Sequence, residues 1–155
     1  MRRKQVANLL KASVARRMVK KRHAVNFVLG LCRGGRLRAD VLSMTIHGEF
    51  TLFEIKSGVP DFLADSKADK YLRYCHKMYF VFEDQTWDKL KPRVQFPPQI
   101  GVIVRTPLGK LKVVKKSRRQ EMDPKIYQAL VLRMAYRAAE FKSVQQVNNW
   151  AKANS

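Results

Sequence analysis

Apolar side chains recur at Val6, Leu9, Leu10, Val14 and Met18, the spacing of one helical face, and predict an amphipathic helix over roughly residues 4–22. Its opposite side carries Arg16, Arg17, Lys20 and Lys21. The pattern then turns β-like from His23 to Cys32 through Val25, Phe27, Val28 and Leu29, with a turn at Arg33-Gly34-Gly35. Residues 37–45 and 49–57 read as two further strands joined around His47-Gly48. The simplest arrangement of the three is an antiparallel meander.

Residues 60–75 read as one helix. Pro60 suits a first helical turn, Asp61 and Asp65 complement the helix dipole, and Phe62, Leu63, Tyr71, Leu72 and Cys75 form an inward stripe. Met78 to Phe82 is a short apolar run of the kind a buried strand shows after a crossover. Prolines 92, 97 and 98 mark residues 83–99 as a loop with a brief helical turn around Trp87. Residues 100–105 and 110–114 form a hairpin around Pro107-Leu108-Gly109. Asp123-Pro124 opens a helix to about Phe141, and Ser143 with Gln146 resembles the capping box of a short last helix near Trp150. The order predicts an α/β (α+β) fold with a central mixed sheet flanked by helices and a C-terminal helical extension. At 155 residues one domain is expected, its core about 4–115 and its C-terminal helices about 123–152.

Charge changes this picture most. Thirty-two Lys and Arg against twelve Asp and Glu leave a net charge of +20. Such an imbalance repels itself in the compact state and points to a polyanionic partner. The two cysteines, Cys32 and Cys75, lack paired spacing and read as reduced core residues, which suits a cytoplasmic protein. No apolar run is long enough to span a membrane. The start of the chain is basic and acid-free, as a transit peptide is, but it reads as part of the fold.

The chemistry concentrates in Asp40 and in Phe53-Glu54-Ile55-Lys56-Ser57. Side chains alternate along a strand, so Glu54 and Lys56 share one face. Asp40 lies opposite Glu54 if the intervening hairpin has a three-residue loop with Gly48 left-handed; one residue more or less would spoil the register. Two carboxylates and an ammonium on an apolar sheet call for pairing or a bound metal. Asp40, Glu54 and the Ile55 backbone carbonyl, with waters, supply hard oxygen ligands for Mg2+, and Lys56 would orient water or balance charge on a phosphate. The plainer reading is a salt bridge from Lys56 to one of the two acids.

An Asp followed by Glu-x-Lys on a hairpin, between a first helix and a crossover helix, resembles the PD-(D/E)XK nuclease superfamily. More narrowly, the chain is similar to the MmcB-like DNA-repair proteins of bacteria. The similarity rests on Arg38-Ala39-Asp40-Val41, Glu54-Ile55-Lys56-Ser57, Asp61-Phe62, Asp65, Lys67, Tyr74-Cys75 and Tyr79-Phe80-Val81. It implies a restriction-endonuclease-like core and Mg2+- or Mn2+-dependent DNA cleavage in repair or recombination, with Asp40, Glu54 and Lys56 as catalytic residues. Many members of the superfamily add a Glu from the first helix, whereas residues 1–39 here contain no acid. Asn26 could offer a neutral oxygen in that neighbourhood. The alternative is a non-catalytic, structure-specific DNA-binding protein on a degenerate nuclease fold; an RNA-binding protein fits the charge but leaves the triad unexplained.

Lys67 and Tyr71 share a helix face and resemble the Gln-x-x-x-Tyr pattern of some nucleases of the superfamily, or are a surface Lys beside a core Tyr. Asp61 and Asp65 read as helix-end charges. Arg36 and Arg38 flank the Asp40 strand, and Arg16, Arg17, Lys20 and Lys21 with Lys115, Lys116, Arg118 and Arg119 form the two basic runs expected to meet DNA. The partner expected is DNA, bound by a monomer or homodimer. His23, His47 and His76 are too scattered for a metal cluster.

Overall fold

The computed structural model describes residues 2–32, 36–65 and 68–155. Its contacts divide the chain into two compact units, Met1–Met122 and Asp123–Ser155.

The first unit is built on a six-stranded sheet in the order β1 (Ala24–Gly30), β2 (Arg38–Met44), β3 (Phe50–Ile55), β4 (Lys77–Glu83), β5 (Ile100–Arg105) and β6 (Leu111–Lys115). β1, β2 and β3 form the expected antiparallel meander, and β5 with β6 the expected hairpin. β3, β4 and β5 run parallel, so two crossovers are required. The first passes through α2 (Val59–Leu63) and α3 (Ala68–Leu72), the second through α4 (Asp84–Leu90).

Each sheet face has its own cover. α1 (Arg3–Lys20) lays Leu10, Val14 and Met18 against Val41, Phe53, Ile55, Tyr79, Val81 and Ile103. On the other face Phe62 of α2 meets Phe80 and Phe82 edge-on, at ring separations of 5.3 and 5.6 Å. Phe96 and Trp87 extend this aromatic layer by stacking. β3 is buried along its whole length, as a central strand covered on both faces must be.

The hairpin that sets the register of the candidate site has the anticipated form. Thr45 N–H donates to the Glu49 carbonyl at 3.0 Å, Gly48 N–H donates to the Thr45 carbonyl at 2.9 Å, and Gly48 takes φ +80°. A glycine tolerates that conformation without a Cβ clash.

Residues 60–75 do not form the single helix that was expected. Asp61 turns back to accept hydrogen bonds from Ser57 N–H (2.9 Å) and Ser57 Oγ (3.1 Å), which fixes the start of α2. The helix ends when Asp65 N–H bonds to the carbonyl of Phe62, three residues back, at 3.1 Å. The expected turn at Arg33-Gly34-Gly35, and Lys67, lie outside the described residues.

The second unit is one helix, α5 (Pro124–Ala153), where two were expected. Asp123 caps it as anticipated, accepting from Lys125 N–H at 2.8 Å. Ser143 does not open a new helix: its hydroxyl donates to the Ala139 carbonyl at 2.7 Å, the bond a serine makes inside a helix. Among the described residues no helix is long and apolar enough to cross a membrane.

Candidate functional site

Val41 pairs with Phe53 and Leu42 with Leu52, so continuing the ladder one step brings Asp40 opposite Glu54. Two hydrogen bonds fix the contact. Ile55 N–H donates to Asp40 Oδ2 at 2.9 Å, and Asp40 N–H donates to Glu54 Oε1 at 3.3 Å. Each carboxylate therefore leans on the backbone of the other's strand. Glu54 is only 3% exposed.

Burial penalises the charged form of both acids. Desolvation raises the Asp40 pKa, against the Ile55 N–H bond and the charges of Lys11 and Lys56. Glu54 is pushed up to about 8, by desolvation first and by the negative charge of Asp40 second. Tyr71, on α3, hydrogen-bonds to Glu54; desolvation and the charges of Glu54, Asp65 and Asp40 hold its phenol well above the usual range. That places Tyr71 beside the pair as a hydroxyl donor.

Lys56, 7% exposed, emerges just beyond β3. Its ammonium bonds neither Asp40 nor Glu54 but sits 2.5 Å from Asp65 Oδ2. The plainer sequence reading, a bridge to one of the two site acids, is thereby corrected. Asp65, read as a helix-end charge, is the partner of the buried lysine, and Asp61, read the same way, holds Ser57. No local spacing signals either contact, because both depend on how the chain folds back after β3.

The first helix contributes a cation where an acid was sought. Lys11, half-buried beside Leu10, acts on Asp40 through its charge. Asn26 sits on β1 opposite Leu42, two residues from Val28, whose neighbours Phe27 and Leu29 pair with Val41 and Ala39 on either side of Asp40. Val28 takes φ +50°, a conformation that a β-branched residue adopts only under strain.

Among the described residues no three His, Cys, Asp or Glu side chains converge as a metal cluster. Asp40 and Glu54 are a pair of hard oxygen donors with unspent lone pairs, and the cost of charging Glu54 is one that a bound cation would relieve. On donor chemistry the pair fits a divalent cation that keeps several of its waters. His76 is structural, its Nδ1 accepting from Phe50 N–H at 2.9 Å.

The basic residues separate into groups. Arg36 and Arg38 are exposed at the start of β2, upstream of Asp40. Arg16, Arg17, Lys20 and Lys21 lie together along α1, against the β5–β6 turn. In the second run, Lys115 donates to the carbonyls of Pro97 (2.9 Å) and Ile100, while Arg119 pairs with Glu49 (2.9 Å) and Glu121. Only Lys116 and Arg118 of that run make no such side-chain contact among the described residues.

Comparison with known proteins agrees with this frame. A protein of unknown function from Silicibacter pomeroyi has a similar fold, with a TM-score of 0.75 and 23% identity over 91% of each chain. No curated protein matches. The profile of the DNA repair protein MmcB-like family matches residues 1–148, nearly the whole sequence. The chain belongs to the MmcB-like DNA repair protein family.

Proposed function

We propose that the chain is a Mg2+- or Mn2+-dependent DNA endonuclease acting in repair or recombination, with Asp40, Glu54 and Lys56 at its centre. The observation that carries this reading is Glu54: a carboxyl 3% exposed, forced to share its site with Asp40 and poised near pH 8. Perturbed acids of this kind concentrate where chemistry is done. Membership of a DNA repair family and the +20 charge supply the substrate class.

Asp40, Glu54 and the Ile55 carbonyl would hold the cation, which supplies polarisation of the phosphodiester and a water of lowered pKa. The remaining work falls to side chains. Tyr71 orients the Glu54 carboxylate through its hydroxyl, and Asp65 holds the Lys56 ammonium at a fixed place beside the pair. From there Lys56 balances the charge that develops on the phosphate in the transition state.

The test is incubation of linear, nicked, flapped, junction and single-stranded DNAs with Mg2+, with Mn2+ and with neither. Metal-dependent cutting that disappears in Lys56→Ala while DNA binding survives is the expected result. Failure to cut any form in either metal overturns the reading.

One observation favours a second reading, a non-catalytic, structure-specific DNA-binding protein on a degenerate nuclease fold. α1 brings Lys11 rather than a carboxylate towards Asp40. Calorimetry separates the two: cation binding that is lost in Asp40→Ala belongs to a working site, and absence of binding to a degenerate one.

A further inference from the structure

α1 turns Leu10, Val14 and Met18 to the sheet and leaves Arg16, Lys20 and Lys21 exposed. Against the turn between β5 and β6 this outer side forms a cleft of about 560 Å3, in which Lys110 joins Arg16, Arg17, Lys20 and Lys21. Among the described residues neither a carboxylate nor an aromatic ring lines it. Arg17 is already fixed there, its Nη1 donating to the Leu111 carbonyl at 3.2 Å. Holding a charged group in place beforehand lowers the ordering cost of binding.

The cleft has a definite relation to the site acids. Val81 pairs with Ile55, Glu83 with Arg105, and Arg105 with Leu111. The β5–β6 turn therefore leaves the sheet at the same edge as Lys56, the carboxyl ends of the parallel strands. α1 links the two places: the charge of Lys11 acts on Asp40, and Arg17, six residues later, reaches the turn. Six residues advance a helix by about 9 Å, the axial rise of roughly two to three base pairs.

We propose that this cleft is a backbone clamp for duplex DNA, its five cations gripping phosphates a few base pairs from the Asp40–Glu54 pair without reading bases. Single-strand platforms depend on exposed rings for base stacking, and the cleft has none. Phosphate contacts alone carry no sequence information, so the clamp sets position and not preference. The second basic run does not form an equivalent clamp, because Arg119 is neutralised by Glu49 and Glu121 and an aromatic ring, Phe96, lines the cleft beside it. The inference rests on DNA as the partner and is independent of turnover.

The test compares two triple variants that remove equal charge. Arg16→Ala/Lys20→Ala/Lys110→Ala removes three of the five cleft cations and keeps the docked Arg17 and Lys21; Lys125→Ala/Lys142→Ala/Lys152→Ala removes three exposed lysines of α5. Binding of a fluorescein-labelled blunt DNA duplex is followed by anisotropy in EDTA across a salt series, so that cleavage cannot intervene. The cleft variant is expected to bind about tenfold or more weakly, with a salt slope reduced by about three. The α5 variant should lose much less. Equal weakening of the two, undiminished binding by the cleft variant, or preference of the parent protein for a matched RNA duplex or anionic phosphatidylglycerol vesicles would overturn the clamp. Absence of cleavage by the parent protein in Mn2+ bears on the nuclease reading alone.

Discussion

Asp40 and Glu54 face each other across the β2–β3 ladder, each accepting a hydrogen bond from the other's strand: Ile55 N–H to Asp40 Oδ2 at 2.9 Å and Asp40 N–H to Glu54 Oε1 at 3.3 Å. The bonds hold two like charges together in a place that water scarcely reaches. The folded protein therefore binds a proton on Glu54 that the unfolded chain releases. An unfolded Glu titrates near 4.5 and the folded one near 8. Below pH 4.5 both states are protonated and the group has no effect on stability. Between 4.5 and 8 the unfolded chain holds fewer protons, so stability falls as pH rises. The loss should reach roughly 3–5 kcal/mol by pH 8 in the absence of divalent cation. Glu54→Gln removes the proton exchange. Urea melts in EDTA should find the variant close to the parent at pH 4.5 and more stable than it at pH 8. A gap that does not widen with pH would refute the assignment.

If a cation binds the pair, it competes with that proton. Apparent Mn2+ affinity should then rise with pH up to about 8, by as much as tenfold per unit, with up to one proton released per ion. Calorimetry at pH 6.5 and 7.5, in two buffers of different ionisation enthalpy, measures both. In Asp40→Asn, loss of the neighbouring charge should lower the Glu54 pKa, which a carbon-detected NMR titration of its carboxyl would register.

Lys56 and Asp65 form a nearly buried ion pair, their side chains 8% and 13% exposed at 2.5 Å. Removing one partner strands the other charge, so Asp65→Asn should cost about 2–4 kcal/mol. The double variant Asp65→Asn/Lys56→Met should cost less than the sum of the single ones. A double-mutant cycle by chemical denaturation gives the coupling, expected at about 2 kcal/mol or more. A coupling near zero would mean that the pair does not hold the lysine in place.

The parts of this site that local rules govern were legible in the sequence, and the parts that depend on chain return were not. Strand alternation puts Glu54 and Lys56 on one face, and a left-handed Gly48 puts Asp40 opposite Glu54; both follow from neighbours in sequence. The Lys56–Asp65 pair depends on where the chain turns after β3, and no periodicity encodes that. Lys11 sits on the shoulder of a helix whose apolar stripe reveals its buried face but not which strand end the shoulder overhangs. Ser143 misled for the opposite reason. Its spacing to Gln146 suits a helix start, but the same hydroxyl is satisfied by the Ala139 carbonyl when the helix continues. The basic runs show the limit of counting charge: four residues at 115–119 look alike in sequence, yet two are already engaged.

Gly101 on β5 tests the packing beneath the site. A Cβ there would lie 2.4 Å from the Tyr79 ring and 2.6 Å from the Lys115 carbonyl. Tyr79 stacks on Phe53, and β6 supplies the carbonyl, so neither can retreat without disturbing the sheet. Gly101→Ala should destabilise by about 2–3 kcal/mol, at the upper end for overpacking. Thermal melts at pH 6 would measure it, and a loss under about 0.5 kcal/mol would show that Tyr79 has room to swing away.

Val28 offers a gain instead. It is 40% exposed, yet its backbone sits at φ +50° between Phe27 and Leu29, which pair with the residues on either side of Asp40. A glycine accepts that conformation without the Cβ clash, and relief of strain should outweigh its greater freedom in the unfolded chain. Val28→Gly is expected to stabilise by about 0.5–1 kcal/mol in denaturant melts. The position also bears on function, because the β1–β2 register around it flanks Asp40. If that register matters for cation binding, Val28→Gly should raise stability and leave Mn2+ affinity within about twofold, because glycine keeps the same backbone. Val28→Pro, which cannot adopt positive φ, should lose both. Loss of affinity in the glycine variant alone would show that the isopropyl group, and not the backbone, supports Asp40.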